Sequence, residues 1–329
     1  ENIPKMAEMG LLGIPFPEEF GGAGMTTLSY IQCVEELSKV CATTGVIVSA
    51  HTSLCATPIY TYGTDAQKEK YLKPLASGEQ LGAFALTEPV AGTDASMQKS
   101  TAVLEGDHYV LNGSKIFITN AGFADVYIVF AMTDKSKGTK GISAFILEKD
   151  FPGFSVGTHE VKMGIRGSST CELFFDNCIV PKENLLGEEG RGFNIAMATL
   201  DGGRIGVAAQ ALGIAEGAIE ETIKYVNERV QFGRTISKFQ NTQFELAQMR
   251  ANTEAAKLLV YQAACAKDNH ERFTHFAAMA KLVASRNASD VTRRCLQLFG
   301  GYGYSSDYPI ERMMRDAKIT EIYEGTSEV

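Results

Sequence analysis
Tryptophan is absent from this chain, histidine occurs only five times in 329 residues, and no two cysteines form a C-x-x-C pair. None of the histidines is spaced with another histidine or a cysteine as metal ligands are, which argues against a metal site. The seven cysteines (Cys33, Cys41, Cys55, Cys171, Cys178, Cys265 and Cys295) are odd in number and fit reduced, mostly buried thiols rather than a disulfide framework. No apolar run reaches the roughly 18 residues of a membrane helix, so no span is expected. Lysine and arginine runs are missing too. The formal charge of −8 speaks against a nucleic-acid surface, while a few local cations could still hold an anionic small molecule. No G-x-G-x-x-G follows a strand pattern, which argues against a Rossmann nicotinamide site. There is no signal-peptide pattern, internal repeat or low-complexity tract.

What is present is an ordinary soluble composition, 45% hydrophobic and 21% charged, long enough for two or three cores. Residues 1–80 read as helical. Leu28, Ile31, Val34, Leu37 and Val40 recur at three-residue steps and predict an apolar stripe on one helix face. Thr64 with Gln67 forms a capping box opening a helix that runs to about Leu75. From Leu81 to about Pro181 short apolar runs alternate with turn signals, and Asn112-Gly113 predicts a hairpin. After Gly192 long helices are expected over 193–230, 242–267 and 271–298, with Thr242 and Glu245 as a second capping box and a short helix over 310–318. The order is α, then β, then α, not the alternation of a dinucleotide fold.

The last segment carries the chemistry. Tyr323-Glu324-Gly325-Thr326 sets a carboxylate between a tyrosine and a glycine, just beyond a basic helical stretch from Glu311 to Lys318. A glycine admits close approach to the backbone, and a carboxylate in a dry pocket gains the proton affinity needed to act on a carbon acid. Alone, this pattern is more often that of an exposed loop glutamate with no chemistry. Four further segments change its meaning: Phe84-Ala85-Leu86-Thr87-Glu88-Pro89-Val90-Ala91-Gly92-Thr93-Asp94, Lys115-Ile116-Phe117-Ile118-Thr119-Asn120, Arg229-Val230-Gln231-Phe232-Gly233-Arg234 with Phe239-Gln240, and Gln297-Leu298-Phe299-Gly300-Gly301. In this order, over essentially the whole chain, the five motifs resemble the acyl-CoA dehydrogenase family of flavoenzymes, most closely its short-chain (butyryl-CoA) type.

The resemblance implies an α+β multidomain fold: an N-terminal α-helical domain (1–80), a middle β-barrel-like domain (81–190) and a C-terminal four-helix-bundle domain (191–329), assembled as a homotetramer, a dimer of dimers. The implied cofactor is FAD. The implied reaction removes the α-proton and β-hydride of an acyl-CoA to give a trans-2-enoyl-CoA, with electrons passing to electron-transferring flavoprotein. Glu324 would be the base, and its backbone N–H would help hold the thioester carbonyl. Isovaleryl-CoA and long-chain members carry the base at the position of Gly203 instead. Glycine there and glutamate at 324 place it at Glu324.

By the same resemblance Phe84, Leu86, Thr87 and Thr93 line the flavin, with Thr93 also near the substrate's pantetheine arm. Phe117, Ile118 and Thr119 lie against the ring system, Phe117 standing where members often have tryptophan. Arg229 and Gln240 reach the FAD of a partner subunit, and Gln297, Leu298, Phe299, Gly300 and Gly301 wrap the adenine end. Thr326, Ser327 and Glu328 contact FAD. Asp201, Gly202, Gly203 and Arg204 resemble an acyl-CoA-contacting turn, and Gly325 leaves room for the thioester.

Two other activities fit the same motifs: an acyl-CoA oxidase that returns electrons to oxygen, and a non-catalytic helical scaffold. Glu324, Thr87 and Arg229 standing together favour an enzyme over a scaffold. The expected setting is soluble, the cytoplasm of a bacterium or the mitochondrial matrix of a eukaryote. Part of the family's first helix and its last bundle helix are expected to be missing from this stretch of chain.

Overall fold
A computed structural model describes residues 2–329. Helices α1 (Asn2–Glu8), α2 (Thr27–Val40), α3 (Ala42–Ser49), α4 (Thr57–Tyr62), α5 (Asp65–Gln67) and α6 (Lys73–Ser77) come first, with π-helical stretches at Ala50–Ala56 and Lys68–Leu72. Eight strands follow: β1 (Gly82–Ala85), β2 (Thr101–Glu105), β3 (His108–Thr119), β4 (Val126–Met132), β5 (Ile142–Glu148), β6 (Phe154–His159), β7 (Thr170–Pro181) and β8 (Leu185–Leu186). Helix α7 (Gly192–Glu228) leads to a small ribbon of β9 (Val230–Gln231) and β10 (Arg234–Thr235). Helices α8 (Gln240–Asp268), α9 (Thr274–Phe299) and α10 (Ile310–Lys318) complete the order. The chain packs as two compact units. One holds residues up to Thr26, Ile47–Val161 and Gly167–Gly203; the other holds Thr27–Val46, Lys162–Arg166 and Arg204–Val329.

The first unit is built on the sheet, in the order β6-β7-β3-β2-β4-β5-β8 with β1 added in parallel to β4. Strands β6 and β8 end this path unpaired with each other, so the expected barrel-like closure is not completed and the sheet is open. Strand β4 is buried along its whole length, because both faces of the sheet are covered. Ile128 and Phe130 pack with Ile59, Leu72 and Leu75 of the preceding helices; Tyr127 and Val129 pack with Phe145, Leu173 and Phe175. The capping box at Thr64 and Gln67 is present, with hydrogen bonds of 3.2 and 3.0 Å. The hairpin, however, turns at Gly106-Asp107, not at Asn112-Gly113. Strand β3 runs straight through Asn112, and β7 carries one extra residue opposite it, between Phe175 and Cys178, so the Asn-Gly pair faces a bulge in β7 rather than making a reversal.

The second unit is helical. Helix α2 packs on α8, whose final Asp268 carboxylate accepts from the Thr27 and Leu28 amides at 2.7 and 3.1 Å and so caps α2. The stripe on α2 is only partly as expected: Ile31 and Val34 are buried but Val40 is 74% exposed. A three-residue step falls short of the helical period, so the stripe rotates off the packed face and Tyr30, Glu35 and Ser38 take over. Glu35 and Glu216 are buried and share Lys257 at 2.7 and 3.1 Å, tying α2, α7 and α8 together. The second capping box is not formed. Helix α8 starts at Gln240, after the extended Phe239, which leaves Thr242 inside the first turn while Glu245 pairs with Arg294 on α9. No helix among the described residues is long and apolar enough to cross a membrane.

Candidate active site
Glu324 sits in the second unit, just past α10 and a 3-10 turn at Ile319–Glu321. Its backbone is left-handed, φ 53°, and Gly325 follows at φ 102°. A non-glycine residue adopts that conformation only when its surroundings enforce it. Tyr323 on one side donates its hydroxyl to Gln210 Oε1, and the fully buried Gln210 donates in turn to the Ala42 carbonyl at 3.0 Å. On the other side the Gly325 carbonyl accepts from the Lys281 ammonium on α9. Ser327 N–H closes the turn onto the Glu321 carbonyl at 3.0 Å.

The Glu324 residue as a whole is half-buried, yet its Oε2 is sealed from solvent and has no hydrogen-bond partner among the described residues. Burial pushes its carboxyl up to about 7, opposed by the positive charges of Lys281 and Arg204. Its backbone N–H likewise donates to no protein acceptor among the described residues. A Cβ built on Gly325 would meet nothing within 4 Å, so the space at the residue after the base is open. A desolvated base with an unspent lone pair, an unspent amide and room for a ligand is the arrangement that carbon-acid chemistry requires. Thr326 and Ser327 are half-buried beyond it, and Glu328 is exposed.

A second locus lies in the same unit. Arg229, Gln297, Leu298, Phe299, Gly300 and Gly301 all line one cavity of about 610 Å³. Tyr225 stacks on Phe299 at 4.1 Å between centroids, and the Arg229 guanidinium lies 5.2 Å from the Tyr302 ring. Gly300 ends α9 at φ 60°, ψ −137°, a conformation open essentially to glycine alone, and no atom crowds the place of its missing Cβ. Gln240 is outside this cavity, exposed at the first residue of α8. Phe232, in the tight turn between β9 and β10, is 94% exposed.

In the first unit, Leu86 follows β1, and its carbonyl accepts from Gln98 Nε2 and Lys115 Nζ at 2.9 and 3.2 Å. Lys115 also reaches the buried Glu88 at 2.8 Å. Burial would raise the Glu88 carboxyl, but the Lys115 ammonium and the Lys99 and Ser100 amides outweigh it and hold it below the usual range. Burial draws the Lys115 ammonium down to about 8 against the pull of Glu88. This network fixes the backbone on either side of Thr87, whose carbonyl accepts from Ile116 N–H at 3.0 Å. Phe117 is 60% exposed in a left-handed conformation, φ 57°, with Thr119 half-buried beside it. Ile118, between them, points into the core at 2% exposure, so only its backbone is available to a ligand, while Phe84 packs edge-on to Phe130 at 5.1 Å and stays half-buried. Thr93 is exposed. Asp201, Gly202 and Gly203 lie on α7 in the first unit, both glycines buried; Arg204 begins the second.

The motifs missed Gln210 and Lys281, and Lys115, which opens one of them, was given no role. The detectable signal for Lys281 is its register, a lysine on the small-residue stripe Ala277, Ala280, Ala284 and Ala288.

Family models for the N-terminal, middle and C-terminal domains of acyl-CoA dehydrogenase match residues 1–79, 83–178 and 190–329. The chain belongs to the acyl-CoA dehydrogenase family. It is 64% identical, over all of its length and 87% of the relative's, to the short-chain specific acyl-CoA dehydrogenase of Clostridium acetobutylicum. Among solved structures it matches butyryl-CoA dehydrogenase from Megasphaera elsdenii with a TM-score of 0.98 and 58% identity, over 99% of this chain and 86% of that one. A chain solved in work on the electron transferring flavoprotein of Acidaminococcus fermentans and flavin-based electron bifurcation matches with a TM-score of 0.98 and 63% identity, over 99% and 86%.

Proposed function
We propose that this chain is a short-chain acyl-CoA dehydrogenase that converts a butyryl-CoA-like thioester to its trans-2-enoyl-CoA with FAD and hands the electrons to electron-transferring flavoprotein. The observation that carries it is Glu324: a buried carboxyl raised to about 7, its Oε2 unpartnered, beside open space at Gly325. The fit to FAD rests on the exposed left-handed Phe117, the backbone cradle around Leu86 and Thr87, and the cavity lined by Arg229 and residues 297–301. When bound, FAD supplies the hydride acceptor.

The residues divide the remaining work. Glu324 takes the α-proton on its carboxylate. Its backbone N–H binds the thioester carbonyl as negative charge develops on that oxygen. Gly325 leaves the thioester its space, and Asp201 to Arg204 bind the acyl-CoA. Leu86, Thr87, Thr93, Phe117, Ile118 and Thr119 hold the flavin. Arg229 and Gln240 reach the FAD of a neighbouring subunit, Gln297 to Gly301 enclose its adenine end, and Thr326 to Glu328 complete the contact. The base carboxylate should be dry, since water would return its proton affinity to the ordinary range.

The enzyme works as a homotetramer in the bacterial cytoplasm. Phe232, Tyr304, Leu258 and Phe244, 94%, 88%, 72% and 63% exposed, are the apolar surface that subunit contacts would cover. The test is flavin reduction under anaerobic conditions by a series from butyryl-CoA to palmitoyl-CoA, followed by reoxidation. Fastest reduction by the shortest thioesters, with rapid transfer to electron-transferring flavoprotein and slow reaction with air, is expected. Preference for the long thioesters would remove the short-chain assignment, and rapid peroxide formation would make the protein an oxidase.

A further inference from the structure
We propose that Lys281 is the positioning residue of the proton-abstracting turn: its ammonium holds the Gly325 carbonyl, and with it the left-handed Glu324, while standing near the carboxylate without pairing to it. This deepens the proposal above and rests on Glu324 being the base.

Lys281 is 5% exposed on α9, where its neighbours on the buried stripe, Ala277, Ala280, Ala284, Ser285 and Ala288, are small and leave room for one long side chain. A buried ammonium is costly unless paired, and the usual partner is a carboxylate. Yet Lys281 makes no close ion pair among the described residues, and its hydrogen bond goes to the Gly325 carbonyl. Burial lowers its proton affinity, Glu324, Glu321 and Glu328 raise it, and Arg204 lowers it further. The groups acting on Glu324 are Lys281 from α9 and Arg204 from α7, with the neutral Tyr323 hydroxyl turned away onto Gln210.

This geometry suits a base. In a direct ion pair, the ammonium would hold Glu324 in the ordinary carboxylate range, where it is too weak to take an α-proton. With no cation at all, burial would leave it protonated at neutral pH. Bonding the ammonium to the next residue's carbonyl places the positive charge between these limits. It also pins the two residues, φ 53° and φ 102°, whose backbone aims the carboxylate.

The experiment compares FAD-loaded wild type, Lys281→Met, Lys281→Arg and Glu324→Gln. The Glu324 carboxyl is titrated by pH-difference infrared spectroscopy, its band identified by its absence from Glu324→Gln, and kcat/KM for butyryl-CoA is followed against pH. In Lys281→Met the carboxyl midpoint and the acid limb should both rise by about one pH unit. Its plateau kcat should fall about tenfold to a hundredfold as the turn loses its aim. Lys281→Arg should restore the acid limb and shed any alkaline fall-off due to Lys281 losing its proton, since a guanidinium stays charged. A folded, flavin-loaded Lys281→Met with the wild-type midpoint and limb overturns the proposal. If Lys281→Met does not fold, an unchanged alkaline fall-off in Lys281→Arg overturns it instead. Near wild-type turnover by Glu324→Gln would remove the base assignment, an outcome independent of the infrared midpoint.

Discussion
At Glu324, burial and a strained backbone act on one side chain, and both leave measurable traces. With its carboxyl at about 7, the free enzyme's kcat/KM should climb as pH rises through 7 and level off above it; a profile flat from pH 5 to 8 would contradict the raised proton affinity. The same shift bears on stability. The folded state holds this proton more tightly than the unfolded chain, so the ionised carboxylate opposes folding increasingly from the ordinary value of 4.5 up to about 7, and fully above that. Glu324→Gln should therefore melt higher than wild type at pH 8, by on the order of 1–2 kcal/mol, with the gap closing toward pH 4. Equal melting curves at both pH values would contradict it. The Tyr-Glu-Gly pattern was legible in the sequence. That burial raises its proton affinity was expected too; that Lys281 and Arg204, far away along the chain, oppose the rise was not legible, because no local pattern brings them to it.

At the scale of elements, the segment from Leu86 to Glu88 is held from beneath by Lys115 on β3. Removing that ammonium leaves the Glu88 carboxylate buried with only the Lys99 and Ser100 amides, at 2.6 and 3.1 Å. Lys115→Met is expected to destabilise the protein by about 3–5 kcal/mol and to weaken FAD retention, read by calorimetry and flavin content. An unchanged melting temperature would show the pair to be dispensable. Local chemistry predicted these elements unevenly. The Thr64–Gln67 box depends on four adjacent residues and formed as expected. Asn112-Gly113 has hairpin chemistry but lies mid-strand, where β7 pairs on past it and absorbs the irregularity as a bulge. Thr242 and Glu245 matched the spacing of a box, but Glu245 is engaged by Arg294 from another helix.

For the whole molecule, the α, β, α order was visible in the change of apolar period, since helix and strand patterning differ at every residue. Which helices share a core was not visible. Helix α2 joins the bundle through Asp268, Lys257 and Glu216, contacts separated by long stretches of sequence that no local pattern reports. Openness of the sheet escaped for the same reason, since closure depends on how β6 and β8 finish and not on strand character. At this scale Phe232→Asp should break the proposed tetramer, seen as a lower mass by light scattering together with reduced FAD content, because Phe232 is 94% exposed in the isolated chain. A variant with unchanged mass would place Phe232 outside any subunit contact.

The most direct measurement is anaerobic rapid mixing of FAD-loaded wild type and Glu324→Gln with butyryl-CoA, following the bleaching of the flavin. Wild type should bleach rapidly, and Glu324→Gln, with its flavin retained, should bleach on the order of 10²–10⁴-fold more slowly. Bleaching of Glu324→Gln at the wild-type rate would show that another group takes the proton.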